Sequence, residues 1–279
     1  MDIEFVKLQS AGRDFILVDG IKTPPPEVEV CEMFAERITH RNFGVGGCAL
    51  VVLQPGELAS LAVRIHGLAE QGSAGLGDAL LCSARYAFDS GLLEAEAGHL
   101  EAAGAVYAVA LVDSESVMLD MGPPGHWQRS EEMEDSPHLG IDEPIRIRSH
   151  NFTFSPLRLL GLHAVFFDVE EGLPVTPLRK RAVKHPGFPV PPLVELVRLY
   201  GLEEMRVRIW SPGAGELLSS ACGSGAAVVT SVVHGFTERE CVVHTRGGET
   251  YIRWDERSNH VLCTSSVEYT FMGTYYWEG

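Results

Sequence analysis

The chemically most pointed feature of this 279-residue chain is a cysteine that opens a run of small residues. Cys222 lies in Gly213-Ala214-Gly215-Glu216 … Ala221-Cys222-Gly223-Ser224-Gly225-Ala226-Ala227. The run reads as the start of a helix that continues to about His234. A thiol there sits among the unpaired N–H groups at the positive end of a helix dipole. That setting favours the thiolate, which is the base and the nucleophile. The N–H groups of Gly223, Ser224 and Gly225 are suited to cradle a carboxylate, and glycine lets a ligand approach closely. The same pattern taken alone also fits a tight helix start around a buried thiol.

The other glycine clusters carry less. Gly44-Val45-Gly46-Gly47 does not match the dinucleotide fingerprint, and no Walker-type lysine follows it. Gly213–Gly215 follows a strand but lacks the remaining spacing and the acidic residue beyond the next strand. Neither is a nucleotide site. Five further cysteines (Cys31, Cys48, Cys82, Cys241 and Cys263) form no C-x-x-C pair, which argues against structural zinc and for reduced thiols. With 38 acidic against 22 basic residues, the net charge of −16 excludes a general nucleic-acid footprint and disfavours anionic membranes. The basic spots Arg179-Lys180-Arg181, Arg206 and Arg208 read as solvated surface. No apolar run approaches the ~20 residues that span a bilayer. Met1-Asp2-Ile3-Glu4 does not begin a secretory leader, so a cytoplasmic protein is expected.

The elements that must position Cys222 follow from apolar spacing. Short runs at Ile3–Leu8, Phe15–Val18, Ala49–Pro55 and Ser60–Ile65 predict strands. Val30, Met33, Phe34 and Ile38 at helical spacing predict a helix over Glu27–Arg41, after Pro24-Pro25-Pro26. Asp78–Ser90 predicts a second helix that stops before Gly91. Gly98–Leu111 and Ser116–Met121 return to strand character. Gly122-Pro123-Pro124-Gly125 and the acidic Ser130–Pro137 mark a boundary. Beyond it, strands are expected at Pro144–Arg148, Arg158–Phe167, Leu193–Arg198, Arg206–Trp210, Cys241–Thr245, Glu249–Trp254, His260–Thr264 and Val267–Met272. Gly75-Leu76-Gly77-Asp78 precedes the main helix of the first half, as the Cys222 segment precedes that of the second. The expected architecture is α+β: two pseudo-symmetric halves, each a curved, mostly antiparallel sheet around one central helix, with a cleft between them. The halves are residues 1–120, completed by 267–279, and residues 121–266.

These motifs resemble those of the diaminopimelate epimerases, cofactor-independent amino-acid racemases and epimerases. Phe5-Val6-Lys7-Leu8 … Gly12-Arg13-Asp14-Phe15 resembles the family's F-x-K-M … G-N-D-F. Phe43–Gly47 resembles its next glycine loop, and Leu81-Cys82-Ser83-Ala84-Arg85-Tyr86 its R-C-F-A-R-Y helix. Gly213–Glu216 with Ala221–Gly225 resembles G-A-G-E-T-x-A-C-G-S-G. The resemblance runs from Phe5 to the C-terminus. It implies an isomerase without metal, nicotinamide or pyridoxal phosphate, acting on a small amino acid or carboxylic acid in the lysine and peptidoglycan-precursor pathway, often as a homodimer. In that family two cysteines on opposite faces of the substrate exchange the α-proton, and two helix N-termini hold the α-carboxylate.

The departures from the family pattern fall on the site. Leu76 stands at the first catalytic cysteine and cannot transfer a proton. Asp78, next to Gly77, replaces an asparagine of the carboxylate site, and Arg13 replaces the asparagine of G-N-D-F. Ile65-His66-Gly67-Leu68 lacks the asparagine of its strand. Of G-N-P-H, only His163 remains. Pro191 or Pro192 stands for another asparagine, Ser211-Pro212 for the Glu-Arg that grips the substrate's distal end, and two extra residues separate Glu216 from Cys222. Catalysis is therefore assigned to Cys222, and binding to Gly223, Ser224, Gly225, Gly77, Asp78, His163 and Arg13. Cys48 is a candidate compensating acid or base. Two-cysteine epimerisation is not expected. The alternatives are a one-base isomerase or dehydratase of another small acid, and a ligand-binding paralogue without catalysis.

Overall fold

The computed structural model describes residues 2–22, 28–67, 73–94, 96–125, 142–147, 150–167 and 175–277. The chain divides into two compact units. Unit one holds Met1–Gln71, Gly75–Asp120 and Thr264–Gly279, and unit two holds Gly72–Ala74 and Met121–Cys263. The elements in chain order begin with β1 (Asp2–Ser10), β2 (Arg13–Asp19), α1 (Val28–Thr39), β3 (Ala49–Pro55), β4 (Leu61–His66) and α2 (Leu76–Asp89). They continue with β5 (Ala97–Ala102), β6 (Ala105–Leu111), β7 (Ser116–Asp120), β8 (Glu143–Ile147), β9 (His150–Leu159) and β10 (Gly161–Phe167). After α3 (Val175–Ala182) come β11 (Leu193–Leu199), β12 (Glu204–Ser211), β13 (Gly215–Leu217) and α4 (Ala221–Val233). The chain ends with β14 (Glu240–His244), β15 (Glu249–Trp254), β16 (Val261–Ser266) and β17 (Glu268–Tyr276).

Each unit repeats one plan. In unit one, β1 pairs β2 antiparallel, β2 pairs β3 parallel, β3 pairs β4 antiparallel, β4 pairs β5 parallel, and β5 pairs β6 antiparallel. In unit two the same alternation runs β9–β10, β10–β11, β11–β12, β12–β14 and β14–β15. A parallel pair needs a crossover, and a helix makes each one. α1 and α3 take the first crossover; α2 and α4 take the second. Strand β17 pairs antiparallel with β1, so the C-terminus completes the sheet of unit one.

The second-crossover helices are the central ones. α2 packs against β1, β2, β3, β4, β6 and β7, and α4 against β9, β10, β11, β12, β14 and β15. Almost every residue of both is buried, which is the pattern of a helix enclosed all round. The sequence of α4 explains the fit. A Cβ on Gly225 would come within 2.7 Å of Leu159 Cδ2 and 2.8 Å of Met121 Cε, so only glycine lets the strands close around it. α1 instead presents Phe34, Ala35 and Ile38 to Ile16, Val18, Leu50 and Val52. α3 presents Leu178 and Ala182 to a cluster with Phe154, Phe166, Phe188 and Trp210.

Three expectations need correction. Gly98–Leu111 is not one strand: Ala103 (φ 49°) and Gly104 (φ 77°) fold it into the β5–β6 hairpin, the two-residue turn whose positive φ values match strand twist. Arg158–Phe167 is likewise divided, by Leu160 (φ 56°), between β9 and β10, and β9 extends back to His150. α3 was not expected at all. Ser130–Pro137, Pro24–Pro26 and Leu68 lie outside the described residues.

Candidate active site

The start of α4 is built around Ser220. This residue is extended (φ −161°, ψ 123°) and caps the helix, its Oγ accepting from the Gly223 N–H at 3.3 Å. The Ser220 carbonyl accepts from the Ser224 N–H at 2.9 Å. The Ser220 hydroxyl also lies 3.2 Å from Cys222 Sγ and 3.3 Å from the Ala74 carbonyl. The N–H groups of Gly223 and Ser224, expected to face an anion, are thus held by Ser220, and a carboxylate arriving there competes with its hydroxyl. A Cβ on Gly223 would meet Ile209 and Glu195 at 3.0–3.2 Å, so this glycine also serves internal packing. The Ser219 and Ser224 hydroxyls are fully buried and have no hydrogen-bond partner among the described residues. An unsatisfied buried hydroxyl costs about 1–3 kcal/mol, so this helix start favours a polar guest.

Behind Cys222 lies a buried acid pair. His163 on β10 and Glu195 on β11 are both 0% exposed, and Nδ1 of the imidazole is 2.8 Å from Glu195 Oε1. Nε2 is 2.9 Å from the Leu159 carbonyl. A carbonyl only accepts, so Nε2 carries a hydrogen and donates it. One more proton is shared between Nδ1 and the carboxyl, either as imidazolium–carboxylate or as imidazole–carboxylic acid. Burial opposes charge on His163, but the Glu195 carboxylate and the Cys222 sulfur beside it outweigh that and hold its pKa well above the usual value. Burial also pushes the Glu195 carboxyl up, against the pull of His163. Both directions keep the shared proton bound at neutral pH. Sequence reasoning placed His163 on the substrate. Both its ring nitrogens are instead committed within the protein, and it acts at the site by facing Cys222.

The start of α2 has a different chemistry. Gly75 is its N-cap and makes no side-chain capping bond. Leu76 follows, buried, where the thiol of the family pattern belongs. Gly77 is buried in the first turn, and Asp78 carries the turn's acidic charge at 2% exposure. Asp78 Oδ2 lies 4.0 Å from Nε of Arg13, which is 2% exposed at the start of β2. Beside this pair, Asp14 receives two bonds from Arg41 (2.7 and 3.0 Å) and an ion pair from Lys7 at 3.0 Å. Burial would raise the Asp14 carboxyl, but Arg41, Lys7 and the Cys48 thiol hold it down at about 2. Cys48 donates from Sγ to Asp14 Oδ1 at 3.3 Å. Burial pushes this thiol up despite the opposing charge of Arg13, so it is a proton donor rather than a thiolate. Cys82 on α2 is pushed up further by full burial and by Asp78.

Unit two therefore gathers Cys222, Gly223, Ser224, Gly225 and His163, and unit one gathers Arg13, Gly77, Asp78 and Cys48. The expectations missed Glu195, Ser220 and Ser219. Glu195 had a signal, as the one carboxylate inside the apolar strand Leu193–Leu199, where a buried charge demands a partner. Ser220 had one too, as the hydroxyl residue before a helix. Among the described residues no cluster of three or more His, Cys, Asp and Glu is suited to hold a metal. Among them too, no helix is long and apolar enough to cross a membrane.

Comparison with known proteins gives the same family as the motifs. The diaminopimelate epimerase of Moorella thermoacetica is 32% identical, over 98% of this chain and 99% of its own. That of Bacillus thuringiensis is 33% identical, over 97% and 96%. A solved hydroxyproline epimerase from Agrobacterium vitis, with trans-4-hydroxy-L-proline bound, shares the fold at TM-score 0.70 and 14% identity, covering 98% of this chain and 91% of its own. No protein-family model matches the chain.

Proposed function

The chain belongs to the diaminopimelate epimerase family of racemases and epimerases that work without pyridoxal phosphate, and from that premise we propose that it is a one-base member acting on a small amino acid or carboxylic acid. Cys222 is the acid and base. The observation that carries this reading is the contrast between the two helix starts. That of α4 has a thiol beside Ser220 and the His163–Glu195 pair; that of α2 has Leu76.

In this reaction the Cys222 thiolate takes the α-proton, so a C–H bond breaks and an S–H bond forms. The electron pair is left on the α-carbon, delocalised into the adjacent carboxylate. The His163–Glu195 proton stabilises the thiolate, and the dipole of α4 and the Ser219 and Ser224 hydroxyls hold the carboxylate. The S–H proton exchanges with solvent and returns to the same face. An allylic substrate would instead take it back at a distant carbon, an isomerisation needing one base. Cys48, protonated against Asp14, is the candidate second donor if inversion occurs.

The test is α-proton exchange in deuterated water, followed by NMR, with diaminopimelate stereoisomers and a panel of amino acids. The reading expects exchange with retention, abolished in Cys222→Ala. Exchange that survives Cys222→Ala overturns it. A cytoplasmic homodimer belongs to the same proposal. Exposed Phe271, Met272 and Tyr276 along β17 support the dimer, and sedimentation equilibrium tests it.

A further inference from the structure

Two buried, oppositely charged side chains lie at the start of α2, and they stand at two positions where the family pattern has asparagine. Taking charges out of water is costly, so a buried pair of this kind is poor evidence for added stability and calls for another account. Three observations supply one. First, the first turn of α2 has exposed N–H dipoles and no side-chain cap, so it attracts an anion, and Asp78 lies in that turn. Second, the neighbouring carboxylate does not serve Arg13, because Asp14 is taken by Lys7 and by both forks of Arg41. Third, the other ionisable neighbours, Cys48 and Cys82, are thiols held protonated by burial. Within this cluster the guanidinium of Arg13 has Asp78 as its counter-charge.

We propose that Asp78, locked by Arg13, is a built-in carboxylate that fills the anion position at the N-terminus of α2 and closes unit one to an anionic ligand. The carboxylate of a substrate is then bound by α4 alone. This deepens the one-base reading and rests on it for its catalytic meaning. Its test reads stability rather than turnover, so the two fail separately.

The experiment is chemical rescue of the full chain. Asp78→Ala removes the carboxylate and leaves Arg13 and the helix start facing a space the size of formate. Its thermal midpoint should lie below that of the natural protein. Sodium formate should raise that midpoint more than sodium chloride at equal ionic strength. The natural protein should show no formate-specific rise, and neither should the double variant Arg13→Gln/Asp78→Ala. A formate effect equal in the natural protein and in Asp78→Ala, or no difference between formate and chloride, overturns the proposal. Should Asp78→Ala not fold, the near-isosteric pair Arg13→Gln and Asp78→Asn decides it. Each alone should lower the midpoint, and the double variant should recover part of the loss. Strictly additive losses overturn the proposal.

Discussion

The starts of α2 and α4 sit at corresponding places in two units of the same plan, yet they are furnished for opposite ends. α4 opens on Ser220, Cys222 and two buried serine hydroxyls, with His163 and Glu195 behind. α2 opens on Leu76 and an internal ion pair. The packing that holds the two helices is alike: small residues, burial all round, strands on every side. Scaffold and chemistry are therefore separable. The crossover topology fixes where a helix start points, and three or four side chains decide whether it handles a proton.

Breaking the active side should give the largest effect. Cys222→Ala should lower α-proton exchange by about 10²–10⁴-fold, the usual worth of a positioned acid–base group, measured by NMR in deuterated water. Glu195→Leu leaves His163 buried without its partner and should destabilise the fold by roughly 3–5 kcal/mol in urea titration. Gly225→Ala forces a methyl against Leu159 and Met121 and should cost about 1–3 kcal/mol by the same measurement. Ser220→Ala removes the helix cap and should cost about 1 kcal/mol, with a change in Cys222 alkylation rate that a packing defect elsewhere would not produce.

The last prediction sharpens the inactive side. Asp14 is held at about 2, below its ordinary 3.8. A carboxyl lowered on folding contributes stability that is fully present above the ordinary value and lost as pH falls through the lowered one. Arg41→Ala should therefore reduce stability at pH 5 and above. The difference from the natural protein should shrink between pH 4 and 2, as Asp14 is protonated in both. Thermal melts across that range measure it.

Much of this was legible in the sequence because it depends on local rules. Alternating apolar runs, Gly91 after α2 and the small residues after Cys222 mark elements without any knowledge of what packs on them. The rest depended on tertiary context. Leu160 takes a left-handed conformation that its side chain does not advertise, so β9 and β10 read as one strand. Pro177 beside three basic residues hid α3, although proline is tolerated in a first turn. Arg13 and Asp78 each read as a lost asparagine. That they answer each other appears only when β2 and α2 are brought together. Gly223 and Gly225 read as ligand-facing, and their missing side chains turn out to matter to strands as well.

The central claim is that one helix start handles the proton and the other does not. The most direct test is the stereochemical course of exchange in deuterated water on a single enantiomer of whichever panel substrate reacts, read by NMR and chiral chromatography together. The account predicts deuterium at the α-carbon with the configuration retained, and no exchange in Cys222→Ala. Deuterium incorporation with inversion would mean that a second group works from the opposite face, and would contradict it.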